Sequence, residues 1–128
     1  IKLNGLEIKI YEKVSNLKPK FIGNCDFIFS VGYLKKIESE IIKKYEIINL
    51  HPSLLPKYKG LMTHKRMLIN NETIYGYSIH KVTKYLDDGE ILSQNQKNIY
   101  TTSENELSFN HKQLEHRRVF KDLVNFLN

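Results

Sequence analysis

Asn49 and His51 stand two residues apart in the stretch NLHPSLLPKYKG, at the end of an apolar run and before a loop bracketed by Pro52 and Pro56. An asparagine amide donates hydrogen bonds, and a histidine either donates one or shuttles a proton. Two such groups aimed at one point make a site for an oxygen that gains negative charge. The prolines fix φ and remove donors, so the loop is built to hold a shape. The alternative is structural, with Asn49 capping the loop backbone and His51 packed beside Pro52. A second group of chemical residues follows in KYLDDG, residues 84–89, with His80 just upstream. A carboxylate of Asp87 or Asp88 could orient His51 and favour its charged form. Asp-Gly also favours an ordinary turn, so this pair is open to that reading as well.

Other reactive types carry less. The five histidines show no ligand spacing; His111 and His116 are five apart, off the i, i+4 face that a helical site needs. No metal is expected. Cys25 is the only cysteine, so no internal disulfide forms, and its place before an apolar run reads as packing. His111, between Leu107 and Leu114, reads as an interface histidine.

Periodicity gives the elements that would position these residues. LEIKIYE (6–12) alternates as a half-exposed strand does, entered from Asn4-Gly5. A loop with Pro19 follows. DFIFSVGYL (26–34) is a continuous apolar run, which fits a strand covered on both faces. IESEIIKKYE (37–46) puts Ile37, Ile41, Ile42 and Tyr45 on one helical stripe. EIINLH (46–51), GYSIHKVT (76–83) and EILSQNQKNI (90–99) read as strands, and THKRMLINN as a short capped helix from Thr63. SENE (103–106) matches a capping box and opens a long helix carrying Leu107, Leu114, Val119, Leu123, Val124 and Leu127. Strand and helix segments alternate, so the expected class is α/β with a central, largely parallel sheet. Ligands bind beyond the carboxyl ends of such strands, where Asn49, His51 and the Asp pair fall.

The chain of 128 residues suits one domain, 1–128. No apolar run approaches the ~20 residues of a membrane span, and no signal peptide is visible, so a cytoplasmic location without membrane contact is expected. The formal charge is +6, and seventeen of the twenty basic residues are scattered lysines. That favours steering of an anionic small molecule. There is no basic stripe interleaved with aromatics, so no nucleic acid is expected.

INLHPSLLPKYKGLMTH, followed by GYSIHKVTKYLDDGEILSQ, resembles the formyltransferase family that uses 10-formyltetrahydrofolate. Within that family it is most similar to the glycinamide ribonucleotide transformylase branch, whose last helix LEHRRVFKDLVNFL also resembles. The segment LPKYKGLMTHKRML favours that branch over methionyl-tRNA formyltransferases. The likeness runs from about Asp26 to the C-terminus. It implies a Rossmann-like formyltransferase fold and an enzyme moving the formyl group of 10-formyltetrahydrofolate to a primary amine, with no metal. Asn49 and His51 then match the catalytic Asn-x-His, and Asp87 the catalytic aspartate. Asp88 sits where relatives often have glycine and takes no role. Ser78 and His80 match supporting residues, and Thr63 and His64 the pair at the pocket's edge. The implied folate pocket is lined by Tyr33, Leu34, Lys35 and Ile37 and by Val82, Thr83, Lys84, Tyr85 and Leu86, and Leu55-Pro56 is expected to be cis.

Under this likeness Asn49 and a protonated His51 donate to the formyl oxygen, and Asp87 assists the proton transfers. Losing one such donor typically costs about 10²- to 10³-fold in rate. The acceptor is expected to be a small phosphorylated amine, glycinamide ribonucleotide first and a nucleotide-linked amino sugar second; a non-catalytic folate-binding fragment is the third reading. An oligomer is compatible with all three. Relatives hold the acceptor's phosphate on a Gly-rich loop and a helix N-terminus. Residues 1–25 carry no such glycines, so the chain reads as the catalytic part with the N-terminal part missing.

Overall fold

In the computed structural model, which describes residues 2–3, 5–10, 18–33 and 35–127, strands and helices alternate. Strands β1 (Lys2–Leu3) and β2 (Leu6–Glu7) pair antiparallel. Helix α1 (Pro19–Ile22), strand β3 (Ile28–Val31), helix α2 (Ser39–Lys44), strand β4 (Ile47–His51) and helix α3 (Thr63–Ile69) follow. Strand β5 (Ile74–Lys81), strand β6 (Ile91–Asn98) and helix α4 (Glu104–Leu127) complete the order. The main sheet runs β3-β4-β5-β6.

This is the expected α/β class, with a finer pattern of strand directions. β3 and β4 are parallel, whereas β5 runs antiparallel to both β4 and β6. Between β4 and β5 the chain runs through the proline loop and helix α3, of seven residues, and β5 re-enters from the end where β4 leaves.

Successive strand residues face opposite ways, and this divides the sheet chemically. Ile48 and Leu50 of β4 and Tyr75, Tyr77 and Ile79 of β5 pack against Met67 of α3 and Leu107 and Leu114 of α4. The Tyr77 hydroxyl donates to the Asp122 carboxylate, and Asn95 Nδ2 donates to the Tyr77 oxygen at 2.9 Å, tying α4 to β5 and β6. On the other face, Ile47 meets Ile41 and Tyr45 at α2, and the Tyr45 hydroxyl donates to Gly23 O at 2.6 Å. Asn49, His51, Ser78 and His80 share that second face. Helix α2 has only six residues, and its apolar contact is with Ile47, at the start of β4.

Several local expectations change. The strand expected over 6–12 is regular only at Leu6–Glu7, and residues 11–17 lie outside the described residues. The apolar run of β3 is half-buried, with Val31 59 % exposed, because β3 has a single strand neighbour. Helix α3 has no side-chain cap; Met62 precedes it in a left-handed conformation (φ 59°). At α4, Ser103 Oγ accepts from Glu106 N at 3.2 Å, as a capping box requires. The reciprocal half differs: Thr101 Oγ1 accepts from Ser103 N and donates to the Glu106 carboxylate. Cys25 is exposed rather than packed. No described helix is long and apolar enough to cross a membrane.

Candidate active site

β4 delivers Asn49 and His51 to the carboxyl end of the sheet, and the antiparallel register sets Asn49 opposite His80 and His51 opposite Ser78. A break in register between Ile79 and His80, where β6 carries an extra residue, sits beside His80. Bulges of this kind bend a strand and re-aim its side chains. His80 Nδ1 lies 3.0 Å from Lys81 O; a carbonyl only accepts, so Nδ1 carries the hydrogen. In the neutral ring Nε2 is then an acceptor, and Asn49 Nδ2 donates to it at 3.2 Å. This chain of bonds fixes the Asn49 amide with its second N–H free to serve another acceptor.

His51 is 5 % exposed. Its Nε2 donates to Tyr58 O at 2.8 Å, while Nδ1 faces Asp87 Oδ1 at 3.6 Å. His80 Nε2 is 3.8 Å from the same carboxylate oxygen. Burial holds the His51 imidazole below its usual range; the bond to Tyr58 O and the Asp87 charge oppose this, and His80 and Arg66 add to it. With Nε2 donating to Tyr58 O, the neutral ring carries its lone pair on Nδ1.

Asp87 reaches the cluster from the loop after β5 with φ 50°, a left-handed conformation that Asp tolerates better than most residues. Its Oδ2 accepts from Gly60 N at 2.8 Å, and Lys59 Nζ pairs with Asp88 Oδ1 at 2.7 Å. Two adjacent carboxylates thus hold two adjacent residues of the proline loop. Gly89 follows because a Cβ there would lie 1.7 Å from Lys81 O.

The proline loop is pinned from beneath. Ser78, fully buried, accepts from Leu55 N at 2.9 Å and donates to Ser53 O at 2.7 Å. Gln94 Nε2 donates to both Ser78 Oγ and Leu55 O at 2.9 Å. Leu55-Pro56 is cis. Sequence reading singled out neither Gln94 nor Tyr58. No local pattern marks them, because both act on segments distant in sequence or through the main chain.

The remaining expected residues scatter. Thr63 is buried at the start of α3, and His64 turns to α4, its ring 4.8 Å from that of His111. Burial, with His111 nearby, lowers His64 to about 4. His111 Nε2 meets Glu115 Oε1 at 2.6 Å, so His64 belongs to a helix–helix contact. Of the residues expected to line a folate pocket, Tyr33 is half-buried, Lys35 is exposed, and Ile37 and Val82 pack beside Ile41 and Tyr45. Leu34 lies outside the described residues. Val82 N donates to Ile47 O, and Thr83 Oγ1 accepts from Tyr85 N at 3.2 Å, so the turn there is closed on itself. Lys84 Nζ stands 5.1 Å from the Tyr85 ring centre. Tyr85 and Leu86 present apolar surface to solvent, 60 % and 73 % exposed, next to Asp87. Two clefts, of about 410 and 250 Å³, lie elsewhere, and neither is lined by an expected site residue. Among the described residues no three His, Cys, Asp or Glu side chains are grouped to hold a metal ion.

Comparison with known proteins accords with this geometry. The sequence profile of the formyl transferase family matches residues 12–123. The bifunctional polymyxin resistance protein ArnA of Wigglesworthia glossinidia brevipalpis is 43 % identical over 89 residues, covering 68 % of this chain and 13 % of that protein. The methionyl-tRNA formyltransferase of Helicobacter acinonychis is 45 % identical over 79 residues, covering 62 % of this chain and 24 % of that protein. The crystal structure of phosphoribosylglycinamide formyltransferase from Bacillus halodurans superposes with a TM-score of 0.75 at 30 % identity, covering 80 % of this chain and 55 % of that one. The chain spans less than two thirds of each of these proteins. With the match extending over most of its length, the chain belongs to the formyl transferase family.

Proposed function

We propose that this chain transfers the formyl group of 10-formyltetrahydrofolate to a primary amine. The observation that carries the reading is the convergence of Asn49, His51 and Asp87 at the carboxyl end of β4, within a family of formyl transferases. The amine nitrogen attacks the formyl carbon, a C–N bond forms and the carbonyl electrons move to oxygen. The free N–H of Asn49 donates to that oxygen as its charge grows, a contribution of about 3–4 kcal/mol for one well-aimed donor. Neutral His51 takes the amine proton at Nδ1, and Asp87, 3.6 Å away, stabilises the imidazolium so formed. The carbonyl then re-forms, the bond from carbon to the folate nitrogen breaks, and His51 returns the proton to that nitrogen. The apolar surface of Tyr85 and Leu86 offers a wall for the folate ring.

Glycinamide ribonucleotide is the first acceptor, a reading supported by the structural likeness to the Bacillus halodurans enzyme. A nucleotide-linked amino sugar is the second, favoured by the likeness to a polymyxin resistance protein. Both are small phosphorylated molecules, met in the cytoplasm. Absorbance-monitored release of tetrahydrofolate, with each acceptor in turn, tests this. Release that depends on glycinamide ribonucleotide is expected. Release with the amino sugar alone moves the acceptor, and folate binding without release from either overturns catalysis by this chain.

A further inference from the structure

The proton pattern of His51 depends on one carbonyl, that of Tyr58. Because Tyr58 O accepts from Nε2 at 2.8 Å, the other nitrogen is left with the lone pair that faces Asp87. For this to hold, Tyr58 must keep its carbonyl aimed at the ring, and it does so from an uncomfortable backbone. Its φ is 57°, a left-handed conformation that a bulky residue adopts only at a cost. Something must hold it there.

Helix α3 and the turn after it supply the grip. The Tyr58 hydroxyl donates to Glu72 Oε1 at 2.7 Å and accepts from Asn70 Nδ2 at 3.2 Å. The Arg66 guanidinium lies 5.4 Å from the Tyr58 ring centre, and its Nη2 donates to Lys59 O at 2.7 Å. Ser53 Oγ donates to Lys57 O at 2.7 Å and approaches Tyr58 O at 3.3 Å. The tip of the proline loop is thereby fastened to α3 and the turn after it, at Tyr58 by its own side chain, and His51 is fastened to the tip. We infer that Tyr58 is a positioning residue that sets which nitrogen of His51 carries the hydrogen and so leaves Nδ1 to the reaction. The kinetic part of this inference rests on the formyl-transfer reading; the tautomer part stands alone.

The test separates the two. Long-range ¹⁵N–¹H spectra of the imidazole rings in the 128-residue chain report tautomers without any substrate, with His51 assigned by the signals lost in His51→Gln. Wild type is expected to show hydrogen on Nε2. Tyr58→Ala should give a mixture and lower kcat by up to about 10²-fold with KM within about twofold, and Tyr58→Phe and Glu72→Ala should fall between. The charged and titratable groups facing His51 are Asp87, His80 and Arg66, and none is altered in these variants. Weakening the carbonyl bond, which favours the protonated ring, should move the acidic limb of the rate profile to lower pH. If Tyr58→Ala does not fold, Tyr58→Phe and Glu72→Ala decide: an unchanged tautomer and pH profile in both overturns the inference. A wild-type chain with hydrogen on Nε2 but no formyl transfer would instead refute the proposed function and leave the positioning to the spectra.

Discussion

Ile48 and Leu50 leave β4 in one direction, and Asn49 and His51 leave it in the other. The first pair enters a core closed by α3 and α4, where Leu107 is fully buried against the tyrosines of β5. The second pair enters a space where the side chains are held by hydrogen bonds to named partners: Asn49 to His80, His51 to Tyr58 O, Asp87 to Gly60 N. An apolar face is stabilised by area removed from water and tolerates small rearrangement. A polar face must satisfy each donor and acceptor, because a buried polar group left unpaired costs about 1–3 kcal/mol. Beyond Ile47, whose side chain closes the α2 contact, the strand therefore serves stability with Ile48 and Leu50 and chemistry with Asn49 and His51, and substitutions on the two sides should fail in different ways.

The largest separation is expected on the polar side. Asn49→Ala should fold and lower kcat/KM for formyl transfer by about 10²- to 10³-fold, with a stability loss of no more than about 1–3 kcal/mol from leaving His80 Nε2 without its donor. Asp87→Asn should act similarly on rate. Asn is the cleaner replacement because it tolerates the left-handed conformation of Asp87 and keeps an oxygen for Gly60 N. Turnover at the wild-type rate in either variant would remove that residue from the mechanism. On the apolar side the order reverses. Leu107→Ala should cost about 2–5 kcal/mol of folding free energy, read by denaturant titration, with kcat of the folded protein unchanged. A loss of kcat at constant stability would mean that the two faces are not independent.

How much of this was legible depended on whether the signal was periodic. The spacing of Asn49 from His51 put two polar side chains together at the end of one strand, the family likeness added Ser78 and His80, and the structure sets the four side by side. That likeness also added Asp87, which spacing alone left open as a turn. The reversed direction of β5 within the sheet was not legible, because the pattern of apolar and polar residues in β5 is the same whichever way it runs. Nor were Tyr58 and Gln94. Tyr58 acts through its carbonyl, and Gln94 bonds Leu55 across 39 residues, neither of which leaves a pattern in a window of sequence. The lowering of the His51 pKa was not legible for a related reason, since the burial that causes it is a property of the packed chain.

His64 gives the smallest effect and sharpens the boundary between the faces. By the family likeness it was expected at the pocket's edge; in the structure it sits against His111, with His64 Nε2 and His111 Nδ1 both buried without hydrogen-bond partners among the described residues. Its folded value of about 4 lies below the ordinary 6.5, set first by burial and then by His111, with Glu115 opposing. The unfolded chain therefore binds the His64 proton more readily than the folded one. The stability it contributes is full above pH 6.5 and is lost as pH falls towards 4. Allowing for the ring's partial exposure, that loss should amount to about 1–2 kcal/mol. His64→Phe keeps a ring against His111 but has nothing to titrate, so the difference in stability from wild type should grow in favour of the variant between pH 6.5 and 4. Formyl transfer at pH 7.5 should be unchanged within about twofold, because a neutral ring facing α4 is replaced by another. Equal pH dependence in the two proteins would mean that His64 is solvated, and a large loss of transfer would return it to the polar face.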